Sequence, residues 1–177
     1  MAAAVEESPD IAHVEHQTGS CAELGGKYLT FKLGPEEYGL EILKVQEIIK
    51  MMEITRIPRM PEFMRGVINL RGKVIPVVDL RLKFEMAHID QTEKTCVIVV
   101  QIGGQDKKLT IGIIVDEVSE VLDIEAHDIE PPPGMGGNVA TDFILGMAKS
   151  RGGVKILLDI EKVLSAAELS VLENSVN

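Results

Sequence analysis

The sequence predicts an all-β fold: a pair of small barrels, a few short helices and one C-terminal α-helix. Three observations carry this. About ten short runs rich in Val, Ile and Leu follow one another, spaced by Gly and Pro turns. Clear helical punctuation stands only near the end, so the alternating strand and helix of a parallel sheet are missing. One stretch also nearly recurs. Arg71-Gly72-Lys73-Val74-Ile75-Pro76-Val77-Val78-Asp79-Leu80 is matched 80 residues later by Arg151-Gly152-Gly153-Val154-Lys155-Ile156-Leu157-Leu158-Asp159-Ile160, with Arg, Gly, Val and Asp in register. That recurrence predicts two subdomains of similar plan, residues 27 to about 92 and 93 to about 160.

Residues 1 to 26 carry five acids (Glu6, Glu7, Asp10, Glu15, Glu23) and no Lys or Arg. So polar a segment buries too little apolar surface to offset its ordering entropy, and it reads as a disordered acidic tail. His13 and His16 within it have no third ligand nearby and read as a solvated pair. From Lys27 the texture changes. Tyr28 to Leu33, the turn at Gly34-Pro35-Glu36-Glu37, and Tyr38 to Ile42 read as strand, turn, strand. Leu43 to Met52 fits a helical turn or two, or a buried irregular strand, and the pattern does not decide between them. Pro61 is placed to open a short helix through Glu62, Phe63 and Met64.

The chain is organised around residues 67 to 80, where two apolar runs flank Arg71 and Gly72. This reads as a hairpin whose tight turn needs positive φ at the glycine and displays the arginine between two apolar strands. Val97 to Ile102, a turn at 103 to 107, and Leu109 to Val115 repeat the first strand pair, with Gly112 standing where Gly39 stood. Val118 to Ile124 is a further strand, and Pro131-Pro132-Pro133 with Gly134, Gly136 and Gly137 is a stiff, then pliant loop. Phe143 to Met147 resumes the sheet. Ser165 and Glu168 form a capping box for a helix over 165 to 176, with Leu169, Leu172 and Val176 as its apolar stripe.

A chain of 177 residues, 45% apolar, can build one sizeable core or two small ones packed together. The net charge of −10 opposes nucleic acid and anionic membrane surfaces, and six aromatics without Trp leave few stacking platforms. Proteins are the expected partners. Cys21 and Cys96 make no disulfide framework, no apolar run has bilayer length, and the N-terminus lacks a signal peptide, so a cytoplasmic protein without direct membrane insertion is expected. The Gly134 loop follows prolines rather than a strand and lacks the lysine of a phosphate cradle, while Cys96 opens an apolar run as packing. No catalytic group, cofactor site or metal site emerges. Arg71 is ambiguous on these grounds, an exposed turn charge or a displayed contact residue. Ile42, Val45 and Ile48 are likewise core by default.

The stretch from Tyr38 through Phe84, with IGIIVDEVSEVLDI at 111 to 124 and ILGMAKSRGGVKILLDIEKVL before the last helix, resembles the CheW family of chemotaxis coupling proteins. The likeness spans residues 27 to about 175. It implies two five-stranded, SH3-like β-barrels packed together, and a non-enzymatic adaptor between chemoreceptors and the histidine kinase CheA. The family motif falls on Asn69, Leu70, Arg71 and Gly72, continuing through Pro76 to Asp79. The resemblance further implies a receptor-facing groove between the barrels, walled by Ile42, Val45, Ile48, Val115 and Val118 and flanked by Glu47 and Arg71. Its expected partners are the regulatory domain of CheA and the cytoplasmic tip of the receptors, which would recruit the chain to the inner face of the membrane. Alone it is expected to be monomeric or weakly self-associating. The kinase-facing residues do not carry over. The same module occurs as the kinase's regulatory domain and as the coupling half of CheV. No receiver segment follows Asn177, which favours a free-standing coupler. A nucleic-acid-binding barrel and a small-molecule enzyme are disfavoured by charge and by the missing catalytic cluster.

Overall fold

Short β-branched runs cut by glycine turns fold here into eleven strands, in a computed structural model that describes residues 23–103, 108–132, 142–151 and 153–176. The strands are β1 Gly26–Leu33, β2 Glu36–Glu41, β3 Val45–Lys50, β4 Met64–Leu70, β5 Lys73–Asp79, β6 Cys96–Ile102, β7 Leu109–Val115, β8 Glu117–Ile124, β9 Ile129–Glu130, β10 Ile144–Ser150 and β11 Gly153–Leu158. Three α-helices join them: α1 Leu80–Lys83, α2 Ile160–Val163 and α3 Ala166–Val176. The first sheet has six strands in the order β8-β1-β2-β11-β10-β9, the second five in the order β3-β6-β7-β5-β4. The all-β class is as expected. The stretch left open at 43 to 52 is a 3-10 turn, Ile42–Lys44, leading straight into strand β3.

The two sequence-related halves exchange their first hairpins. β1 and β2 pair with β8 and β11, while β6 and β7 pair with β3 and β5. The expected boundary between residues 92 and 93 therefore does not separate the sheets: one comprises 26–41 with 117–158, the other 45–115. Local pattern reports which strands exist, and the pairing partner is chosen by long-range packing.

Equivalent residues confirm the two-fold plan. Leu157 pairs with Gly39 across the parallel β11–β2 contact, and Val77 with Gly112 across β5–β7. Both glycines make room for a neighbour. A Cβ on Gly39 would meet Leu157 Cδ2 at 2.9 Å, and one on Gly112 would meet Val97 Cγ1 at 2.7 Å. The Asp79 N–H donates to Phe63 O at 2.7 Å and the Asp159 N–H to Phe143 O at 2.8 Å. Each aspartate then caps the short helix that follows, accepting from the Arg81 and Glu161 amides respectively.

Three apolar clusters result. A large shared one lies between the sheets, including Leu29, Phe31, Ile98, Val100, Ile113 and Leu158. Ile68, Ile75, Val77, Val97 and Val99 line the inner face of the second sheet, and Tyr28, Ile124, Ile129, Ala148 and Leu157 that of the first. Leu24 packs on this last cluster and accepts a 2.6 Å hydrogen bond from the Tyr28 hydroxyl, so ordered structure begins before residue 27. The remainder of the expected tail, with His13 and His16, lies outside the described residues, as does most of the Pro-Gly loop.

Pro61 does not open a helix. Its carbonyl accepts from the Met64 N–H at 3.0 Å, closing a single turn, and Met64 then enters β4 with its side chain in the shared core. The C-terminal capping box forms as expected: the Ser165 N–H donates to Glu168 Oε1 at 2.7 Å and the Glu168 N–H to Ser165 Oγ at 3.1 Å. Leu172 of α3 is buried in the shared core. The helix thus contributes to the core rather than merely covering it.

Candidate functional site

Arg71 and Gly72 both have positive φ, 52° and 88°, and join β4 to β5 in a two-residue turn of the type that suits hairpin twist. Asn69 fixes the turn, its side-chain oxygen accepting from the Gly72 N–H at 2.8 Å. This places the Arg71 guanidinium in solvent, where it donates to the Glu47 carboxylate on β3. β3 and β4 are the two edges of the second sheet, so this pair spans from one edge to the hairpin beside the other.

Glu47 can reach Arg71 because β3 carries an irregularity between Val45 and Glu47. Val45 pairs with Val100 and Ile48 with Ile98, both in the shared core, whereas Glu47 pairs with Val99 and Ile49 with Val97, on the inner face of the second sheet. Opposed residues share a face. One extra residue thus turns Val45 and Ile48 toward the gap between the sheets and Glu47 toward the arginine. Sequence reasoning grouped these residues as one wall with flanking charges, and the structure divides them between two faces.

The opposite edge strand repeats the device. In β8, Val118 pairs with Phe31 and Val121 with Leu29, with a register shift between them. Val118 and Val121 stand 73 residues after Val45 and Ile48, the separation that also relates Gly112 to Gly39. Ile42, Val45 and Val118 are half-buried against the shared core, while Ile48 and Val121 remain 45% and 48% exposed. Each sheet therefore contributes one edge strand carrying an inner and an outer apolar residue. Val121 was missed in the sequence, although the glycine spacing would have found it. Val115 needs correction: at 1% exposure it is part of the core beneath these residues, not a contact surface.

The remaining motif residues are structural. Leu70 packs on the inner cluster of the second sheet, and Pro76, paired with Val67, is buried. Asp79 is buried as the cap of α1 and receives Arg65 Nη1 at 3.2 Å.

Charges at the ends of the shared core are paired. Lys44 donates to Glu161, whose other oxygen accepts from the Gly103 N–H at 3.2 Å, and these contacts hold Glu161 below its ordinary range. Glu41 beside them is pushed up by burial, with Asp159 and Glu161 adding and Lys44 opposing. Lys83 donates to both oxygens of Glu168 at 2.8 and 2.7 Å and lies 4.9 Å from the Phe63 ring centroid, clamping α3 to the second sheet. Glu125, His127 and Asp128 gather on a 3-10 turn with ligand atoms at metal-binding separation, His127 Nε2 lying 3.3 Å from Glu125 and 3.6 Å from Asp128, with these side chains open to solvent.

The candidate site is therefore the set of exposed apolar residues on the edge strands β3 and β8, Ile48 and Val121, together with Arg71, exposed at a hairpin tip and paired with Glu47. Comparison with known proteins gives it a context. A CheW-like domain model matches residues 27–168. The chain belongs to the CheW-like domain family. It is 42% identical over 151 residues to the chemotaxis protein CheW of Klebsiella aerogenes, covering 85% of this chain and 89% of that one. CheW of Treponema pallidum is 32% identical over 148 residues, 82% of this chain and 86% of the relative. The crystal structure of the scaffolding protein TtCheW from Thermoanaerobacter tengcongensis superposes with a TM-score of 0.72 at 38% identity, covering 82% of this chain and 96% of that one. As a CheW-family member the chain is a non-enzymatic adaptor that couples receptors to CheA in chemotaxis signalling.

Proposed function

We propose that the chain performs this coupling by receiving the cytoplasmic tip of a chemoreceptor on the Val45–Ile48 and Val118–Val121 edges, and the regulatory domain of CheA at the hairpin ends of its sheets. The observation that carries the receptor side is the equivalence of Ile48 and Val121, two solvent-open apolar side chains at matching places on matching edge strands. An amphipathic helix docks by laying an apolar stripe between such walls. Arg71 supplies the polar flank, since a guanidinium makes planar, multidentate hydrogen bonds to carboxylates and amides.

The kinase side rests on a second equivalence. Val74 and Val154 flank the two hairpin turns, stand 80 residues apart, and are each 51% exposed. A homologous domain that presents the same hairpin would meet either one. No helix among the described residues is long and apolar enough to cross a membrane. Recruitment to the membrane through the receptor, by a cytoplasmic protein that is monomeric or weakly self-associating by itself, belongs to the same reading.

The test is to measure binding of the purified chain to a receptor cytoplasmic fragment and to the kinase regulatory domain separately, up to tens of micromolar, a range expected of weak signalling contacts. Binding to both supports the reading. Loss of receptor binding alone on Ile48→Glu assigns the edges, and absence of binding to either partner overturns the proposal.

A further inference from the structure

Beside β4 of the second sheet, a cleft of about 460 Å³ opens between residues 56–65 and the connector after α1. Its walls mix two kinds of chemistry. Ile57, Met60 and Leu82 are apolar, while Arg56, Arg65 and His88 bring nitrogen donors, against one acid, Glu62. A neighbouring cleft of about 220 Å³ shares Arg65 and His88 but adds the acid Asp90, while its remaining charges are engaged: Arg81 binds Asp116, and Asp79 caps α1.

Arg56 and His88 are different. Neither makes a hydrogen bond or ion pair among the described residues, and Arg65 contributes only Nη1 to Asp79, at 3.2 Å. Elsewhere the cations lining clefts are largely engaged. In the cavity at the β10–β11 hairpin, Lys149 holds Glu130 at 2.8 Å and Lys155 holds Glu37, leaving Arg151 as the one cation there without such a contact among the described residues. In a chain of net charge −10, donors left unneutralised beside apolar walls form a local site for an anionic, partly apolar segment.

The chain itself contains such a segment. Residues 1–22 hold Glu6, Glu7, Asp10 and Glu15, no Lys or Arg, with Val5 just before the acids and Ile11 and Val14 between Asp10 and Glu15. They enter the fold at Leu24, on the inner cluster of the first sheet. Twenty-two residues reach at most roughly 70 to 80 Å when extended, against a radius of gyration near 15 Å for a domain of this size, so the cleft is within reach. Tethering supplies an effective concentration on the order of millimolar, enough to populate a contact too weak to form between separate molecules.

We propose that the acidic segment before residue 23 docks in the Arg56–Arg65–His88 cleft of its own chain, its carboxylates on these three side chains and its apolar residues on Ile57, Met60 and Leu82. The contact screens the cleft from acidic partners and is broken by salt or by a stronger anionic competitor. It does not depend on what occupies the β3 and β8 edges.

The experiment uses the full chain with a nitroxide at Ser8→Cys in a Cys21→Ser, Cys96→Ala background, reading paramagnetic broadening of backbone amides. Broadening should concentrate on residues 56–65 and 87–90, and fall to the level of the first sheet's outer face in Arg56→Glu/His88→Glu. A second measurement needs no cysteine changes: amide shifts of the natural chain compared with Glu6→Gln/Glu7→Gln/Asp10→Asn/Glu15→Gln should differ at the same residues. Broadening centred elsewhere or spread evenly, persistence after charge reversal, or shifts absent from the cleft in the neutralised tail would each overturn the proposal.

Discussion

Arg81 grips Asp116 at two points, with Nε to Oδ1 and Nη2 to Oδ2 each 2.8 Å. The aspartate also accepts from the Gly34 N–H at 2.7 Å, and Arg81 Nη1 donates to Ala87 O at 3.0 Å. Four segments meet there: α1, the β1–β2 turn, the β7–β8 junction and the connector after α1. The pair ties one sheet to the other where the exchanged hairpin leaves its own half. Both side chains are largely buried. Removing one partner strands the other, which costs about 3 kcal/mol for a buried pair. Asp116→Asn should therefore lower the melting temperature by roughly 6 to 12 °C in a domain of this size. A shift under 2 °C would show that the sheets are held together without it.

The same aspartate predicts a pH dependence. Burial alone would raise its pKa, but the Arg81 guanidinium and the Gly34 N–H outweigh burial and hold it below the ordinary value. A depressed carboxylate stabilises the fold fully above its unfolded pKa, about 3.9, and loses that contribution as pH falls through the folded value. Glu41 has the opposite sign. Burial pushes it up, so its charged form weakens the fold above the raised pKa and the penalty disappears below the unfolded one. Glu41→Gln should melt higher than the natural chain at pH 7 and equal it near pH 4, as unfolding followed by circular dichroism across that range would show. Asp116→Asn should melt lower at pH 7 and converge only at still more acid pH.

Gly66 predicts a severe substitution. Its φ is 142°, and an added Cβ would lie 2.1 Å from Thr55 O. That carbonyl cannot move away cheaply, because it accepts from the Val67 N–H at 2.9 Å in the bridge that covers the β4 edge. Gly66→Ala should cost about 3 kcal/mol or more, measured by denaturant unfolding. Gly112→Ala is the contrast, since its clash is with the end of the Val97 side chain, and Val97→Ala should restore part of the loss.

Much of this was legible in the residues. The hairpin at Arg71, the capping box at Ser165 and Glu168, and the 80-residue recurrence are local signals, and each appears where its chemistry requires. Pairing was not legible. Which strand β1 accepts on its outer edge depends on packing against Leu29 and Phe31, from a strand some ninety residues away. The face on which Glu47 falls was hidden for a related reason, since a single-residue irregularity reverses the alternation and leaves no mark in the apolar pattern. Pro61 misled because a proline that opens a helix also opens a lone turn, and the burial of Met64 decides between them.

The two edges proposed to receive the receptor should behave alike. Ile48→Glu and Val121→Glu place a charge at half-exposed positions outside the core, so each should change the melting temperature by only a few degrees. Each should weaken binding of a receptor cytoplasmic fragment at least tenfold, read by titration, because charge in a desolvated apolar contact is strongly disfavoured. An effect confined to Ile48 would mean that the partner touches only the second sheet.

Arg71 allows folding and binding to be separated. Its φ of 52° lies where most side chains are strained and Asn and Gly are tolerated, and its contact with Glu47 is exposed. Arg71→Asn removes the guanidinium while suiting the turn, so stability should hold within about 1 kcal/mol, as expected for an exposed ion pair. A flanking arginine whose planar fork engages the partner can carry about 2 kcal/mol, so the receptor fragment should bind up to about thirtyfold more weakly. Arg71→Lys keeps the charge but not the planar fork and should recover little of that loss. The deciding comparison is thermal unfolding beside receptor-fragment affinity and receptor-dependent kinase activation in the same three proteins. If Asn and Lys leave affinity and activation unchanged, Arg71 is an exposed turn charge and nothing more. If Arg71→Asn unfolds the chain, the Glu47 pair is holding β3 to the hairpin, and the arginine belongs to the scaffold rather than to the contact.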